Sequence, residues 1–459
     1  MSARTGTVPE ITAYRSVPDF AFGRIKDIRV RWALDEIGRP YETRLIGGIF
    51  EDKPPAYLAD QPFGQVPVYR EDDLILFETG SILIHIGGTD ARLLPRDAKG
   101  RGRAISWMIA ALNSVEPMIQ TLVLLTVKGQ RTDWLAGAMG AAKPFAEQRL
   151  IRLGQALGDR EWLEDDFSIG DIVMIDVLRN TDPELLAPHP NLAAYVARGT
   201  ARPAFQSAMT AHLAPIARSA NRCPPDPPIP PRRYPMPVNP DSSLEVTAFD
   251  WVPDFARGFV RDLRPRWACE EIGLDYAEHL ISAINRPADH FLFQPWGQVP
   301  VLSDGGIRLF ESGAILLHLA EKDARLMPRD PQARANTLAW LFAAYNSVEP
   351  MLFELGNVDL FAKDEEWAKL RRPSLIEFIQ GRLGRLNDAI GDKPYLVGEF
   401  TVADIAMATV LREAVEAGLV AEQPRVAAYL DRCLARPAFQ RALAAQLDAF
   451  SEEAGPPAA

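Results

Sequence analysis

The feature that most constrains this chain is that it repeats itself. Gly64-Gln-Val-Pro-Val68 returns as Gly297-Gln-Val-Pro-Val301, Phe77-Glu-Thr-Gly80 as Phe310-Glu-Ser-Gly313, and Asn113-Ser-Val-Glu-Pro-Met118 as Asn346-Ser-Val-Glu-Pro-Met351, all at a spacing of 233 residues. Ala201-Arg-Pro-Ala-Phe-Gln206 returns as Ala435-Arg-Pro-Ala-Phe-Gln440 at 234. A register held this far means two copies of one fold, and 459 residues is long enough for about two to four domains. Only the start slips: Val17-Pro-Asp-Phe20 matches Val252-Pro-Asp-Phe255 at 235, so copy one carries two extra residues between its first helix and Gly-Gln-Val-Pro, where a loop is expected. Cys223 to Pro240, between the copies, is half proline and cannot hold helix or sheet. It reads as a semi-rigid spacer reaching roughly 50 Å at about 3.1 Å per residue, enough for the copies to pack side by side. Its Pro-Pro-Arg-Arg piece is alternatively an SH3-type ligand.

Each copy divides in two. Ile11 to Arg15, Val66 to Tyr69 and Leu74 to Phe77 read as short strands bounded by turn residues. Val30, Ala33, Leu34 and Ile37 form one helical stripe stopped by Gly38. Copy two repeats it with Ala268, Cys269 and Ile272, but Pro265 replaces Val30, so that helix starts near Pro265 or kinks there, and Cys269 is core filler. Beyond about residue 100 of each unit the strand signals give way to Ala/Leu-rich helical spacing. The expected fold class is therefore α/β plus all-α in two tandem units, with α/β parts at 9–92 and 244–325, all-helical parts at 98–220 and 331–453, and a linker at 221–243. Ser168-Ile-Gly-Asp171 and Thr401-Val-Ala-Asp404 read as capping boxes with a purely structural role.

The chemistry is expected beside Val66-Pro67-Val68. A proline inside a strand-like run removes a ladder donor and is tolerated at an edge, a bulge or a cis turn, which leaves the N–H and C=O of Val66 free to pair with an extended peptide. Glu78-Thr79-Gly80 then opens a helix over Ser81 to Ile86, where a hydroxyl and unpaired N–H groups suit a carboxylate while the glutamate takes an ammonium. Together Glu78 and Thr79 would grip both ends of an α-amino-acid head group.

This order of elements, with Val-Pro, Glu-Ser/Thr-Gly and a helical half carrying Ser/Thr-x-x-Asp, resembles a cytosolic glutathione S-transferase over almost everything outside the linker. The resemblance implies a thioredoxin-like first part with a cis-proline, and glutathione held as co-substrate. It gives Val66, Pro67, Glu78 and Thr79 the binding roles in copy one, and Val299, Pro300, Glu311 and Ser312 in copy two. Gln65 and Gln298 fall where the family often places another polar contact. Lys53 and Arg286 are equivalent, and each either pairs the glycine carboxylate or is a solvated surface charge. Glu116 and Glu349 fall where a partner subunit offers a carboxylate to the γ-glutamyl amine, or else cap or pack a helix.

The resemblance fails at the group that activates the thiol. Copy one offers Tyr14 and Ser16 near the end of strand one, but copy two has Phe249 and Trp251 there. Arg24 or Arg257 would stabilise a thiolate by charge, a backbone N–H is another route, and a plain turn with surface arginines is the alternative. Three readings follow: glutathione transfer to a small hydrophobic electrophile, as in detoxification; glutathione-dependent isomerisation, dehalogenation or peroxide reduction; and a glutathione-binding scaffold with little or no catalysis. The two copies are expected to pair internally as a pseudo-dimer.

Fifty basic against 61 acidic residues, with no clustered cationic stripe, argue against nucleic acid. No signal-peptide core or membrane span is apparent, and three cysteines without a CxxC pair suit a reducing compartment, so a cytoplasmic address is expected. His85 and His318 occupy equivalent apolar runs, are expected to pack in the core, and no metal is assigned.

Overall fold

The computed structural model describes residues 7–49, 51–129, 135–214, 238–451 and 454–455. Most of the proline-rich segment, including Pro-Pro-Arg-Arg, lies outside them, as does Cys223. In the first unit β1 (Glu10–Tyr14), α1 (Asp27–Glu36), β2 (Glu42–Ile46), α2 (Pro55–Leu58), β3 (Val68–Glu71), β4 (Leu74–Phe77) and α3 (Thr79–Thr89) form the thioredoxin-like part. Its sheet has the order β2-β1-β3-β4, with β1 parallel to β2 and antiparallel to β3. The helical part follows as α4 (Ala98–Ala110), a π-helical turn over Ala111–Val115, α5 (Glu116–Gly129), α6 (Leu135–Leu157), α7 (Ile169–Arg179), α8 (Pro183–Leu186), α9 (Pro190–Thr200) and α10 (Pro203–Leu213).

The second unit repeats this plan. β5 (Leu244–Phe249), α11 (Leu263–Ile272), β6 (Ala277–Ile281), α12 (His290–Phe293), β7 (Val301–Asp304), β8 (Ile307–Phe310) and α13 (Ser312–Ala320) build a sheet of order β6-β5-β7-β8. α14 (Pro331–Ala343), a π-helical turn over Ala344–Val348, α15 (Glu349–Gly356), α16 (Glu366–Ile390), α17 (Val402–Leu411), α18 (Pro424–Leu434) and α19 (Pro437–Asp448) complete it. β2 pairs β1 at the same register as β6 pairs β5, whereas Lys53 and Arg286 already stand at the later spacing, so the two-residue slip lies in the loop after β2.

The sequence patterns explain most of these elements. Val30, Ala33 and Leu34 are wholly buried, and Gly38 takes the left-handed φ of 69° just past α1. Pro265 sits in the first turn of α11, where its missing N–H costs no helical bond, and Cys269 is buried. Both capping boxes form, and Asp171 and Asp404 additionally accept from the hydroxyls of Tyr195 and Tyr429 at 2.7 and 3.0 Å. The histidines differ from expectation. His85 and His318 are half-buried and turn to the sheet edge, where their Nε2 atoms lie 3.2 Å from Glu71 and 2.6 Å from Asp304. A strand-end carboxylate was a better partner for an imidazole than the apolar core.

The two units pack against each other reciprocally. α4 lies on β8 and α13, and α14 lies on β4 and α3. Trp340 meets Phe63 and Phe77 edge-on, while Trp107 meets Trp296 and Phe310 in the same way. Gln332 bonds both the N–H and the C=O of Ile75, at 2.9 and 3.0 Å, and so covers part of the edge strand β4. Gly80 is required by this contact, because a Cβ there would fall 2.5 Å from the ring of the fully buried Phe342. Gly80→Ala should cost about 1–3 kcal/mol by overpacking, read as a lower urea midpoint. Gly88→Ala in the same helix meets nothing within 4 Å and should show no such loss.

Candidate functional site

In each unit the turn before the third strand carries a cis peptide, Val66–Pro67 in one and Val299–Pro300 in the other. β3 and β7 start only after the proline, at Val68 and Val301. Among the described residues no hydrogen bond takes up the backbone N–H or C=O of Val66 or Val299. The preceding carbonyls are anchored from below: the Tyr57 hydroxyl donates to Gln65 O at 2.5 Å, and in the second unit His290 Nε2 stands 2.8 Å from Gln298 O.

The glutamates lie next to these edges in an unusual backbone state. Glu78 and Glu311 have φ of 64° and 68°, a left-handed conformation that side chains other than glycine rarely adopt, and each immediately precedes the first helical residue, Thr79 or Ser312. Their side chains are turned into the boundary between the units. There the Ser347 hydroxyl donates to Glu78 Oε1 at 2.7 Å and stands 3.1 Å from Gln65 Oε1, tying two expected site residues together. Ser114 mirrors it, donating to Glu311 Oε1 at 2.5 Å. Burial pushes the Glu78 and Glu311 carboxyls above the ordinary range, although these hydroxyls and nearby cations partly oppose it.

Ser114 and Ser347 belong to the repeated Asn-Ser-Val-Glu-Pro, but its glutamates do not cross. Glu116 is held within its own unit by Arg29 at 2.7 Å and Lys26 at 3.1 Å, and Glu349 by Arg264 at 2.6 Å and Arg261 at 3.1 Å. The Asn-Ser pair sits in the π-helical turn, from which the serine reaches the other unit, whereas the glutamate opens the next helix. Sequence reasoning found the motif and missed which of its side chains reaches across. Arg264 also donates from Nη1 to the Ser312 hydroxyl at 3.1 Å.

The remaining expected residues are more scattered. Lys53 is buried with its ammonium on Gly48 O at 2.6 Å and also on Glu51 O, and it lies over the Tyr14 ring; Arg286 lies over Phe249 in the matching place. Lys53 is therefore not a solvated surface charge, whereas Arg286 is exposed. Tyr14 ends β1 with its hydroxyl 3.4 Å from Gly64 O, and burial pushes its phenol far up, so it is a donor at any physiological pH. Ser16 is buried, its carbonyl accepting from Ile49 N–H at 3.2 Å. Arg257 pairs with the exposed Asp254 at 3.3 Å and lies over Phe450, and Arg24 is exposed.

Two further cations reach each site from the other unit, and neither was anticipated. Arg382 on α16 lies over Phe63 and Arg149 on α6 over Trp296, at 5.6 and 5.7 Å. Their neighbours Arg385, which donates to Phe63 O, and Arg152, which lies over Phe291, repeat the relation.

The family model "Glutathione S-transferase, N-terminal domain" matches residues 255–321, and a second model of the same description matches 28–91. Glutathione S-transferase F14 of Arabidopsis thaliana is 32% identical over 192 residues, which are 38% of this chain and 75% of the plant protein. The chain belongs to the glutathione S-transferase family. The disulfide-bond oxidoreductase YfcG of Escherichia coli is 34% identical over 152 residues, 31% of this chain and 66% of YfcG. A glutathione transferase family member from Pseudomonas fluorescens, solved with two glutathione bound, is 28% identical, covers 44% of this chain and 92% of its own, and superposes with a TM-score of 0.39. Among the described residues no helix is long and apolar enough to cross a membrane, and no cluster of His, Cys, Asp and Glu has the geometry of a metal site.

Proposed function

We propose that this chain is a glutathione transferase with two glutathione sites, one on each α/β part, and that it transfers glutathione to a small hydrophobic electrophile. The observation that carries the reading is the coincidence, in both units, of an unpaired valine backbone at a cis-proline with a glutamate at the start of a helix, half-buried in the first unit and buried in the second. The valine N–H and C=O would pair with the cysteinyl backbone of the tripeptide. Glu78 or Glu311 would take the γ-glutamyl ammonium, and the hydroxyl and first N–H groups of α3 or α13 its carboxylate. Gln65 and Gln298 would complete the grip. Glutathione supplies the thiol; as thiolate its sulfur forms a bond to the electrophilic carbon while the leaving group departs with its electron pair.

On this reading 9–92 and 244–325 hold the tripeptide, and 98–220 and 331–453 shape the second pocket. Exposed Phe255 and Phe361, stacked edge-on at 5.8 Å, suit an apolar co-substrate in the second unit. The two units act as an intramolecular pseudo-dimer, and light scattering should return the mass of one chain. Titration calorimetry with reduced glutathione tests the binding, and conjugation of a chloronitrobenzene tests the transfer. No binding at millimolar glutathione defeats the proposal. A second reading, binding with little turnover, is favoured by one observation: the hydroxyl at the end of β1, Tyr14, is replaced by Phe249 in the second unit. Retention on glutathione resin without conjugation of any electrophile would select it.

The raised carboxyl of each glutamate gives a pH dependence. An ammonium is held only by the ionised form, so affinity should fall as pH drops through a pKa lying above the ordinary glutamate value of about 4.3. Calorimetric affinities that stay flat until the ligand's own carboxyls titrate would contradict the assignment.

A further inference from the structure

The second unit has shifted a carboxylate. In the first, Arg29 lies between Glu116 and Asp176, and Asn180, one turn beyond Asp176, donates from Nδ2 to the Asp176 carbonyl at 2.7 Å. In the second, Arg264 keeps Glu349 at 2.6 Å, but Thr409 replaces Asp176 and Glu413 replaces Asn180. The acid has moved one helical turn along, off the guanidinium. Glu413 is half-buried, and among the described residues it makes no hydrogen bond and no ion pair. A carboxylate withdrawn from water without a partner is costly to a fold and is typical of a site that handles protons.

Its surroundings place it on the side of the second unit where an electrophile would enter. Arg412, the residue before it, donates from Nη1 to Gly258 O at 2.6 Å and lies over the Phe259 ring at 4.6 Å, so this turn abuts the loop that follows β5. Phe255 and Phe259 are exposed on that loop, and Phe353 is exposed on α15, which packs against the same turn. The charged groups that act on Glu413 are Glu349 on α15, Arg261 and Arg264 at the start of α11, and Arg412 beside it. Burial first and Glu349 second lift its carboxyl toward neutral against the three cations. Glu349 itself is clamped by Arg261 and Arg264, which outweigh its burial and hold it low, so it is no proton acceptor near neutral pH.

We propose that Glu413 is the proton-transfer group of the second unit, and that this unit's pocket takes electrophiles that add glutathione across a strained ring, namely epoxides. The inference rests on the glutathione reading and names a substrate class for one of its two sites. The Glu413 carboxylate takes the sulfhydryl proton as the S–H bond breaks. The sulfur electron pair forms the C–S bond, the epoxide C–O bond breaks with its pair going to oxygen, and Glu413 returns the same proton to that oxygen. The product is a β-hydroxy thioether, and Glu413 ends ionised as it began. A departing halide needs no proton, so displacement chemistry is left to the first unit, where the Tyr14 hydroxyl only donates and Asn180 exchanges no proton.

Turnover of styrene oxide and of a chloronitrobenzene by the full chain tests this, beside calorimetry with reduced glutathione. Glu413→Gln should lower kcat for styrene oxide about 100-fold, the share that a positioned acid–base group supplies, while glutathione still binds at both sites. In the unaltered chain kcat/KM for styrene oxide should rise with pH through a pKa above the ordinary glutamate value of about 4.3, because the ionised form takes the proton, and Glu413→Gln should flatten that rise. Glu413→Asp, with its thermal midpoint measured, should recover part of the rate and guards against misreading a folding defect. Unchanged styrene oxide turnover or an unchanged pH profile in Glu413→Gln would overturn the inference, and so would equal fractional losses on the two substrates. A chain that binds glutathione and conjugates the chloronitrobenzene but not styrene oxide would overturn it too. Absence of glutathione binding would instead defeat the reading on which it rests.

Discussion

Arg29→Ala should destabilise the first unit by about 3–5 kcal/mol, the cost typical of breaking a buried ionic cluster from one side. The Arg29 side chain is 2% exposed and bonds Glu116 at 2.7 Å and Asp176 at 2.6 Å; Asp176 is 1% exposed. Both carboxyls are held below their ordinary range by the charges of Arg29 and its neighbours, which outweigh their burial. Removing the guanidinium leaves them less compensated, with Lys26 on the first and Arg179 on the second. Because their pKa values are depressed in the fold, the stability they contribute is present above the unfolded values of about 4 and is lost as pH falls through the folded ones. The gap between Arg29→Ala and the unaltered chain in urea unfolding should therefore be widest near neutral pH and narrow in acid. Arg264→Ala, the equivalent change in the second unit, should cost less, because Thr409 stands where Asp176 stands, so that one ion-paired carboxylate, Glu349, loses its guanidinium rather than two. Equal losses in the two variants would show that Asp176 adds nothing to the cluster.

How much of this was legible in the sequence depended on whether a residue answers to its own chain neighbours or to a surface that arrives later. The repeat carried Val66-Pro67 and Glu78-Thr79 plainly, because a proline beside a strand and an acid before a helix have meaning within a few residues. The stripe of α1 and both capping boxes were local in the same sense. β2 was harder: Glu42-Thr-Arg-Leu-Ile46 mixes charges into a strand whose partner is set by β1. The buried arginines of α1 were invisible for a different reason. Arg29 and Arg31 occupy what reads as a polar face, which is covered by the docking of the helical part and, at Arg31, by Tyr41 and Thr43 as well. The crossing groups were the least legible of all. Ser114 and Ser347 gain their role from a π-helical turn that points them at the other unit, and Arg149 and Arg382 look like ordinary helix-surface cations until that unit is in place.

Glu78→Gln should reduce glutathione affinity at the first site by about 30-fold or more, the penalty for losing the charge that meets a buried ammonium. The same substitution should leave folding stability unchanged or slightly higher. Glutamine still accepts from the Ser347 hydroxyl, and it no longer carries the charge whose burial raises the Glu78 carboxyl. A site that loses ligand while the fold gains is not explained by damage to packing, and calorimetry beside thermal unfolding reads both. Glu311→Gln should do the same at the second site, since Ser114 serves it at 2.5 Å. The two variants should part company in turnover. Only the first unit has a hydroxyl, Tyr14, at the end of its first strand, held protonated by burial and therefore able to donate, where the second has Phe249. Glu78→Gln should accordingly remove most of the conjugation activity and Glu311→Gln the smaller share, and equal losses would mean that thiol activation does not depend on that hydroxyl.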